Sequence, residues 1–205
     1  MIIGTFSLND SKPPVWMIVM SGNPISDYYR KLALPSWLKA GFDVNFFEGV
    51  TPETYKDHFD LLFGNKHSKS TPDGVMFTVS EKCVWYGHYY LWKKCIDTDT
   101  PMIVCEHDIE LVMNIQPSIY TKPMACLAHD PPDIHKERRT SLAGGAYYIT
   151  PDVAKVLIRI SEDRIRLNSD GWIWEVCKAH GYFHYDKCSH IKDYSVGFTT
   201  KHNKS

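Results

Sequence analysis

The sequence predicts an α/β domain with a mostly parallel central sheet, because short apolar runs that end in turns alternate with segments of helical periodicity. The run from Val15 to Ser21 is almost continuously apolar and precedes a glycine, an asparagine and a proline, which is typical of a strand buried on both faces. A helical pattern covers Asp27 to Ala40, with Pro35 expected to interrupt it and Gly41 suited to end it. A second strand is predicted over Phe42 to Phe47. Strand, helix and strand in this order form a βαβ unit.

The rest of the chain continues this alternation. Ser80 is a candidate cap for a helix that runs to about Asp97, and the apolar positions of that helix recur at the spacing of one face. His88 lies on this face and is interpreted as a hydrogen-bonded core histidine. The predicted buried stripe comprises Val84, His88, Leu91, Trp92 and Cys95. The other predicted elements are strands over Pro101–Cys105, Ala125–Ala128 and Ala146–Thr150 and a helix over Pro151–Ile160.

Length, composition and charge exclude several classes of protein. The 205 residues are 43% hydrophobic and 23% charged, which suits one globular domain over 1–205 with its own core and excludes a disordered or coiled-coil chain. The last ~10 residues are expected to be flexible. Lys plus Arg (23) nearly balances Asp plus Glu (24), so no overall field draws the protein to nucleic acid or to an anionic membrane.

Two absences in the sequence predict a cytoplasmic location. The longest apolar run, Val15 to Met20, is much shorter than the ~20 residues that a membrane span requires. The N-terminus also lacks the charged, apolar and small-residue regions of a signal peptide. Six cysteines at irregular spacings are therefore expected to be free thiols, most of them buried.

A group of acidic residues follows the strand predicted to end at Cys105. Glu106, Asp108 and Glu110 lie within five residues of one another, at the carboxyl end of a strand, where α/β sheets bind ligands. On an extended strand end, side chains two residues apart point to the same side. A divalent cation, Mn²⁺ or Mg²⁺, would offset the repulsion between these carboxylates. The alternative is a solvated acidic turn.

These residues and the helix before them resemble glycosyltransferase family 25, which includes lipopolysaccharide and collagen galactosyltransferases. Glu81, Cys83, His88 and Trp92 match the family's helix, and Glu106 and Asp108 match the strand end that reads Glu-Asp-Asp in the family. The chain departs from the family pattern at Ser80, Gly87 and His107, and the last of these replaces the middle acid.

The resemblance implies a GT-A-type, Rossmann-like domain that binds a nucleotide diphosphate sugar through a metal ion. It implies Asp108 as the first metal ligand, and Glu106 as either a second ligand or an acceptor for hydroxyl groups of the donor. Arg30, Glu81 and Gly145 are carried over as donor-binding residues, and Gly145 lies in the stretch Gly144–Thr150, which is similar to the family's Gly-x-x-x-Tyr-x-Ile-Ser.

Three further residues are candidates for the chemistry. An inverting transfer needs a base for the acceptor hydroxyl, and Asp170, in a segment similar to the family's late Pro-x-Asp segment, is the first candidate, with Asp130 as its rival. Asp170 could instead cap a helix that begins near Trp172. His190, or else His202, is expected to complete the metal shell; a zinc site built from the histidines and cysteines of the C-terminal region fits no standard spacing.

The predicted activity is therefore transfer of a sugar to a hydroxyl acceptor, most simply a glycan or a lipid-linked saccharide. Basic segments at Lys66–Lys69, Lys136–Arg139 and Lys201–Lys204 keep open a transfer to hydroxymethylated bases of DNA, which would require base flipping. A noncatalytic domain that binds nucleotide sugars is the third alternative, and His107 is the residue that suggests it.

Overall fold

The fold was determined as a computed structural model, which describes residues 12–55, 77–128, 144–163, 165, 169–179 and 185–191. Within these ranges, Asp170, Val176, Cys177 and 185–191 are described by their backbone alone. The strands are β1 (Val15–Val19), β2 (Val44–Glu48), β3 (Met102–Glu106), β4 (Ile109–Leu111), β5 (Met124–Ala128), β6 (Ala146–Ile149) and β7 (Tyr185–Ile191). The helices are α1 (Pro24–Lys39), α2 (Val79–Asp97), α3 (Pro151–Asp163) and α4 (Ser169–Ala179), with a 3₁₀ helix over Pro117–Thr121.

The seven strands form one sheet in the order β2-β1-β3-β6-β5-β7-β4. β1 pairs in parallel with β2 and β3, and β5 pairs in parallel with β7. β6 is antiparallel to β3 and β5, and β4 is antiparallel to β7. Five strands therefore point one way and two are reversed, which confirms the predicted α/β fold with a mostly parallel sheet.

The core lies in two layers, one on each face of the sheet. Alternate residues of β3 show the division, because Val104 packs with α2, α3 and α4 while Ile103 and Cys105 pack on the side of α1. On the α1 side, the Trp37 indole is completely buried and its Nε1 donates to the carbonyl of Ile109 at 2.9 Å. This bond fastens α1 to β4.

Three local predictions were wrong or incomplete. Pro35 does not interrupt α1; buried residues on both sides of it, Ala33 and Trp37, hold the helix together against the ~3 kcal/mol cost of an interior proline. The cap of α2 is Thr78 rather than Ser80. α2 also buries more than one stripe, since Trp85, Tyr86 and Tyr89 are buried along with His88 and Trp92.

Other expectations from the sequence were confirmed. Gly41, at φ 76°, follows α1 and adopts the left-handed conformation that glycine accepts without strain. The thiols of Cys83, Cys95, Cys105 and Cys126 are reduced and buried. The side chains of Cys177 and Cys188 lie outside the described part, as do the last residues of the chain. Within the part that the structure describes, no helix combines the length and the apolar character needed to cross a bilayer.

We expect Trp37→Ala to lower the free energy of unfolding by about 3–5 kcal/mol, because it leaves a cavity under α1 and removes the bond to Ile109. Leu38→Ala is the matched control, since Leu38 is the next residue and is 53% exposed. Its effect should stay within about 0.5 kcal/mol. Urea denaturation measures both values, and equal losses would contradict the assignment of Trp37 to the core.

Candidate active site

A cavity of about 500 Å³ opens at the carboxyl ends of β1, β2 and β3. Its wall is formed by the turn after β1, the turn after β2, the first residues of α2 and the end of β3. This volume is in the range of small-molecule sites, and the position is the one at which α/β sheets bind ligands. The polar residues that line it are Ser21, Asn23, Thr51, Glu53, Ser80, Glu106 and His107.

Hydrogen bonds hold the two turns of this wall, and close packing around Gly49 restricts which residue fits in the second turn. Asn23 Oδ1 accepts from the backbone N–H groups of Ile25 and Ser26, at 2.9 and 3.2 Å, and caps α1. Glu48, at the end of β2, accepts from the backbone N–H of Ser21 at 2.7 Å, which joins the turn after β1 to the neighbouring strand. A Cβ at Gly49 would lie 3.2 Å from the Val19 carbonyl oxygen. The turns therefore leave little room for a larger residue there.

Glu106 is the last residue of β3 and lines the cavity. Its backbone N–H donates to the carbonyl of Gly145 at 2.8 Å, and its side chain is 31% exposed, with Oε1 3.6 Å from His88 Nε2. This separation exceeds a hydrogen bond, so we treat it as an electrostatic contact. Burial works to raise the pKa of Glu106, but His88 and His107 outweigh it and lower the pKa. The carboxylate is therefore ionised at neutral pH.

His88 lies behind Glu106 and is fully buried in α2. Its Nδ1 is 3.0 Å from the Tyr147 hydroxyl, which also accepts a hydrogen bond from Trp92 Nε1 at 2.8 Å. The interpretation of His88 as a hydrogen-bonded core histidine is thus confirmed. The same residue also contacts Glu106, which lines the cavity.

The chain leaves the extended conformation after Glu106 and turns at His107 and Asp108 before β4 begins. Glu106 and Asp108 therefore do not project from one face of a strand, as the sequence led us to expect. Both His107 and Asp108 are 6% exposed, but among the described residues the cavity wall includes His107 and not Asp108. Burial lowers the pKa of His107, although the charge of Glu106 and a hydrogen bond to the backbone of Ile18 oppose it.

The acidic motif and His190 are brought near each other by the chain path. Only two residues separate β3 from β4, so the Cα atoms of Glu106 and Ile109 lie within about 11 Å. Glu110 of β4 is paired with His190 of β7, and such antiparallel partners have Cα atoms about 5 Å apart. The far edge of the sheet therefore folds back to the carboxyl end of β3. Among the described side chains, no three histidine, cysteine or carboxylate groups could together hold a metal ion; that of His190 lies outside them.

The other residues proposed from the sequence fall in different surroundings. The Glu81 carboxylate accepts from the Thr78 backbone N–H at 2.8 Å and completes a capping box at the start of α2. Arg30 pairs with Asp27 at 2.9 Å and stacks over the Phe46 ring.

Asp170 is the second residue of α4, which begins at Ser169, earlier than predicted. Asp130 and His202 lie outside the described residues.

Sequence reasoning missed two parts of the site. Glu53 and the turn that carries it were given no role, because a short polar segment after a strand has no distinctive pattern. Tyr147 lies in the stretch that resembles the family, yet nothing in the sequence indicates that its hydroxyl would contact a histidine 59 residues away.

Comparison with known proteins identifies the family of the chain. The model of glycosyltransferase family 25 (LPS biosynthesis protein) matches residues 27–130, about half of the chain. The chain belongs to this family. The matched region includes most of α1, all of α2, and β3 with the turn after it, which carry Glu106 and Asp108. No curated protein matches the chain in sequence.

Solved structures resemble the chain in fold at low identity. Mouse xyloside xylosyltransferase 1, in its apo form, has a TM-score of 0.50 and 11% identity, with 84% of each chain covered. A glycosyltransferase involved in the glycosylation of the major capsid of PBCV-1 has a TM-score of 0.49 and 10% identity, over 89% of this chain and 96% of that one. The first likeness supports the glycosyltransferase fold.

We expect the stability contributed by ionised Glu106 to depend on pH. Because folding lowers the pKa below its ordinary value of 4.5, this contribution is present above that value and is lost as the pH falls through the folded-state pKa. The difference in unfolding free energy between the wild type and Glu106→Gln, measured by urea denaturation without metal, should therefore be larger at pH 7 than at pH 3. A difference that grows on acidification would contradict the assigned direction.

We expect Glu81→Gln to leave the stability nearly unchanged, because glutamine also completes a capping box. Glu81→Ala should cost about 0.5–1 kcal/mol. Thermal unfolding of the two variants measures this difference. If Glu81→Gln instead keeps its stability and loses nucleotide binding, the carboxylate acts on the donor as well as on the helix.

Proposed function

We propose that this protein transfers a sugar from a nucleotide diphosphate sugar to a hydroxyl acceptor, with the donor bound in the cavity at the ends of β1, β2 and β3. The observation that carries the proposal is the ionised Glu106 carboxylate in the wall of that cavity, in a chain of glycosyltransferase family 25.

The charge of the cavity supports a metal-dependent donor site. Among the described residues that line it, the ionisable carboxylates are Glu53 and Glu106, and no lysine or arginine is present. A diphosphate would meet repulsion there unless a cation accompanied it. Mn²⁺ or Mg²⁺ is suited to this place, since such ions bind to one or two carboxylates together with substrate phosphates and waters.

The residues present fit such an ion by their donor chemistry. Glu106 and Asp108 would hold it through carboxylate oxygens, and the pairing of His190 with Glu110 supports His190 as a further ligand. When bound, the ion supplies Lewis-acid stabilisation of the charge that develops on the departing diphosphate. Glu106 can alternatively accept hydrogen bonds from donor hydroxyls, and Arg30, Glu81 and Gly145 remain donor-binding proposals.

The reaction as proposed inverts the anomeric configuration and needs a base. Asp170 is proposed for this role, with Asp130 as its rival. The base takes the proton of the acceptor hydroxyl as that oxygen bonds to the anomeric carbon and the diphosphate leaves. The proposed acceptor is a glycan or lipid-linked saccharide and the proposed location is the cytoplasm. The basic segments that suggested DNA lie outside the described residues, so no described contact favours that acceptor.

A donor-hydrolysis screen tests the proposal. The protein is incubated with UDP-glucose, UDP-galactose, UDP-xylose and GDP-mannose, with Mn²⁺, with Mg²⁺ or with EDTA, and the released nucleotide is measured. We expect release from at least one donor that depends on metal and is lost in Glu106→Gln. Tight binding of a nucleotide without any turnover, in the presence of saccharide acceptors as well, would favour the noncatalytic alternative.

We expect Asp108→Asn to abolish the Mn²⁺-dependent increase in nucleotide diphosphate binding, because an amide lacks the charge that holds the cation. Isothermal titration of UDP and GDP, with and without Mn²⁺, measures it. Asp152→Asn is the control, since Asp152 is an exposed residue of α3. Equal binding by Asp108→Asn and the wild type would refute the role, and a large fall in melting temperature would show that Asp108 is structural.

We expect Asp170→Asn to lower kcat by about 10²- to 10⁴-fold with little change in donor affinity, because a general base acts only in the transition state. At the second position of α4, loss of the charge should cost about 0.3–1 kcal/mol of stability. Steady-state kinetics and donor titration measure the two effects. Asp130→Asn is the paired variant, and normal turnover by both would refute a base at either position.

A further inference from the structure

A series of buried polar groups connects the core to the cavity wall. It begins at Trp92 Nε1, which donates to the Tyr147 hydroxyl, and it continues from that hydroxyl to His88 Nδ1. On the other side of the ring, His88 Nε2 faces Glu106 Oε1 at 3.6 Å. Trp92, Tyr147 and His88 are completely buried, whereas Glu106 is partly exposed in the cavity.

The chemistry of these groups decides which of them donates and which accepts in each contact of the series. An indole N–H can only donate and an ionised carboxylate can only accept, whereas a tyrosine hydroxyl can do both. A neutral imidazole has a single N–H, and its best place is the nitrogen that faces the group unable to donate. That nitrogen is Nε2, opposite Glu106. Nδ1 then accepts from Tyr147, while the oxygen of Tyr147 accepts from Trp92.

We propose that Trp92, Tyr147 and His88 form a positioning relay that holds His88 as the Nε2–H tautomer and so fixes the orientation of the Glu106 carboxylate in the cavity. Oε1 is turned toward His88, and Oε2 is left for the ligand. A glutamate side chain has considerable rotational freedom, and a fixed partner behind it removes that freedom before the ligand binds. Contacts of this kind are often long in the free enzyme and shorten in the complex, as the 3.6 Å separation would allow.

The relay depends on three elements of the fold meeting at one point. α2 supplies Trp92 and His88, β6 supplies Tyr147, and β3 supplies Glu106. The backbone of Glu106 is also held from the β6 side, by the bond to the Gly145 carbonyl. The main chain of Glu106 is therefore bonded directly to the segment that begins β6. Its side chain is connected to β6 through His88 and Tyr147.

The tautomer is measured directly by nitrogen-15 NMR of the full chain at pH 7, without ligand. We expect a proton on His88 Nε2 and the signal of a hydrogen-bond acceptor at Nδ1. Tyr147→Phe removes the hydroxyl, and we expect it to shift both the His88 nitrogens and the side-chain carboxyl carbon of Glu106. A wild-type ring protonated on Nδ1, or on both nitrogens, overturns the proposal, and this measurement needs no variant.

Tyr148→Phe is the matched control. Tyr148 is the next residue of β6, is also buried, and donates its hydroxyl to the Tyr120 carbonyl at 3.1 Å, on the opposite face of the sheet. Tyr147→Phe removes two hydrogen bonds, with His88 and Trp92, and Tyr148→Phe removes one. A merely structural role therefore predicts a larger loss of stability in Tyr147→Phe and no change in the Glu106 carboxyl signal in either variant. Unchanged His88 and Glu106 signals in Tyr147→Phe would overturn the relay.

The expected effect of the relay on turnover rests on the proposed transferase activity. In the donor-hydrolysis assay, we expect Tyr147→Phe to lower kcat/KM by about 10- to 100-fold, as is usual for residues behind a catalytic or metal-binding group, and Tyr148→Phe to leave it near the wild-type value. His88→Gln, which keeps an N–H donor, should retain more activity than His88→Leu. Normal turnover by Tyr147→Phe overturns the positioning role. A wild type with the expected tautomer and no turnover of any donor overturns the transferase proposal, and the NMR result still decides the relay.

Discussion

The packing of α2 against the sheet is the interaction on which the site depends. Trp85 and Trp92 are completely buried and meet edge to face, with ring centroids 5.9 Å apart, and Trp85 also packs against Trp172 of α4. Aromatic side chains of this size contribute a large share of core stability. Because the same helix places His88 behind Glu106 and its first residues in the cavity wall, core packing and site geometry cannot be changed independently.

Most of the regular elements could be predicted from the sequence because each reflects a local pattern. The strands β1 and β3 are short and almost wholly apolar, and the end of α1 is marked by Gly41. β4 was not predicted, since three residues with one charge in the middle carry no periodic signal. Its place depends on pairing with β7, some 80 residues later in the chain, and local sequence does not encode such pairing.

The sequence was sufficient to predict which segment carries the candidate site, but not how the side chains of that segment are arranged. The acidic residues were placed correctly at the end of a strand, and Glu106 does line the cavity. The turn at His107 and Asp108 changes which side chains share a surface, and a turn of two residues without glycine or proline gives no warning in the sequence. The contact between His88 and Tyr147 has the same origin as the pairing of β4, because it forms only when distant elements meet.

His107 shows how the chain departs from its family while keeping the surroundings of the site. An acid at this position would place a third carboxylate between Glu106 and Asp108. Asp108 is largely buried and Glu106 is partly buried, so water would screen the added charge poorly. The imidazole is held by the backbone of Ile18, and unlike a carboxylate it carries no negative charge in either of its protonation states. Repulsion within the acidic motif is therefore smaller than in a chain with three acids. The apo fold can keep Glu106 ionised through its contact with His88, and the charge that remains is available for a cation and its diphosphate.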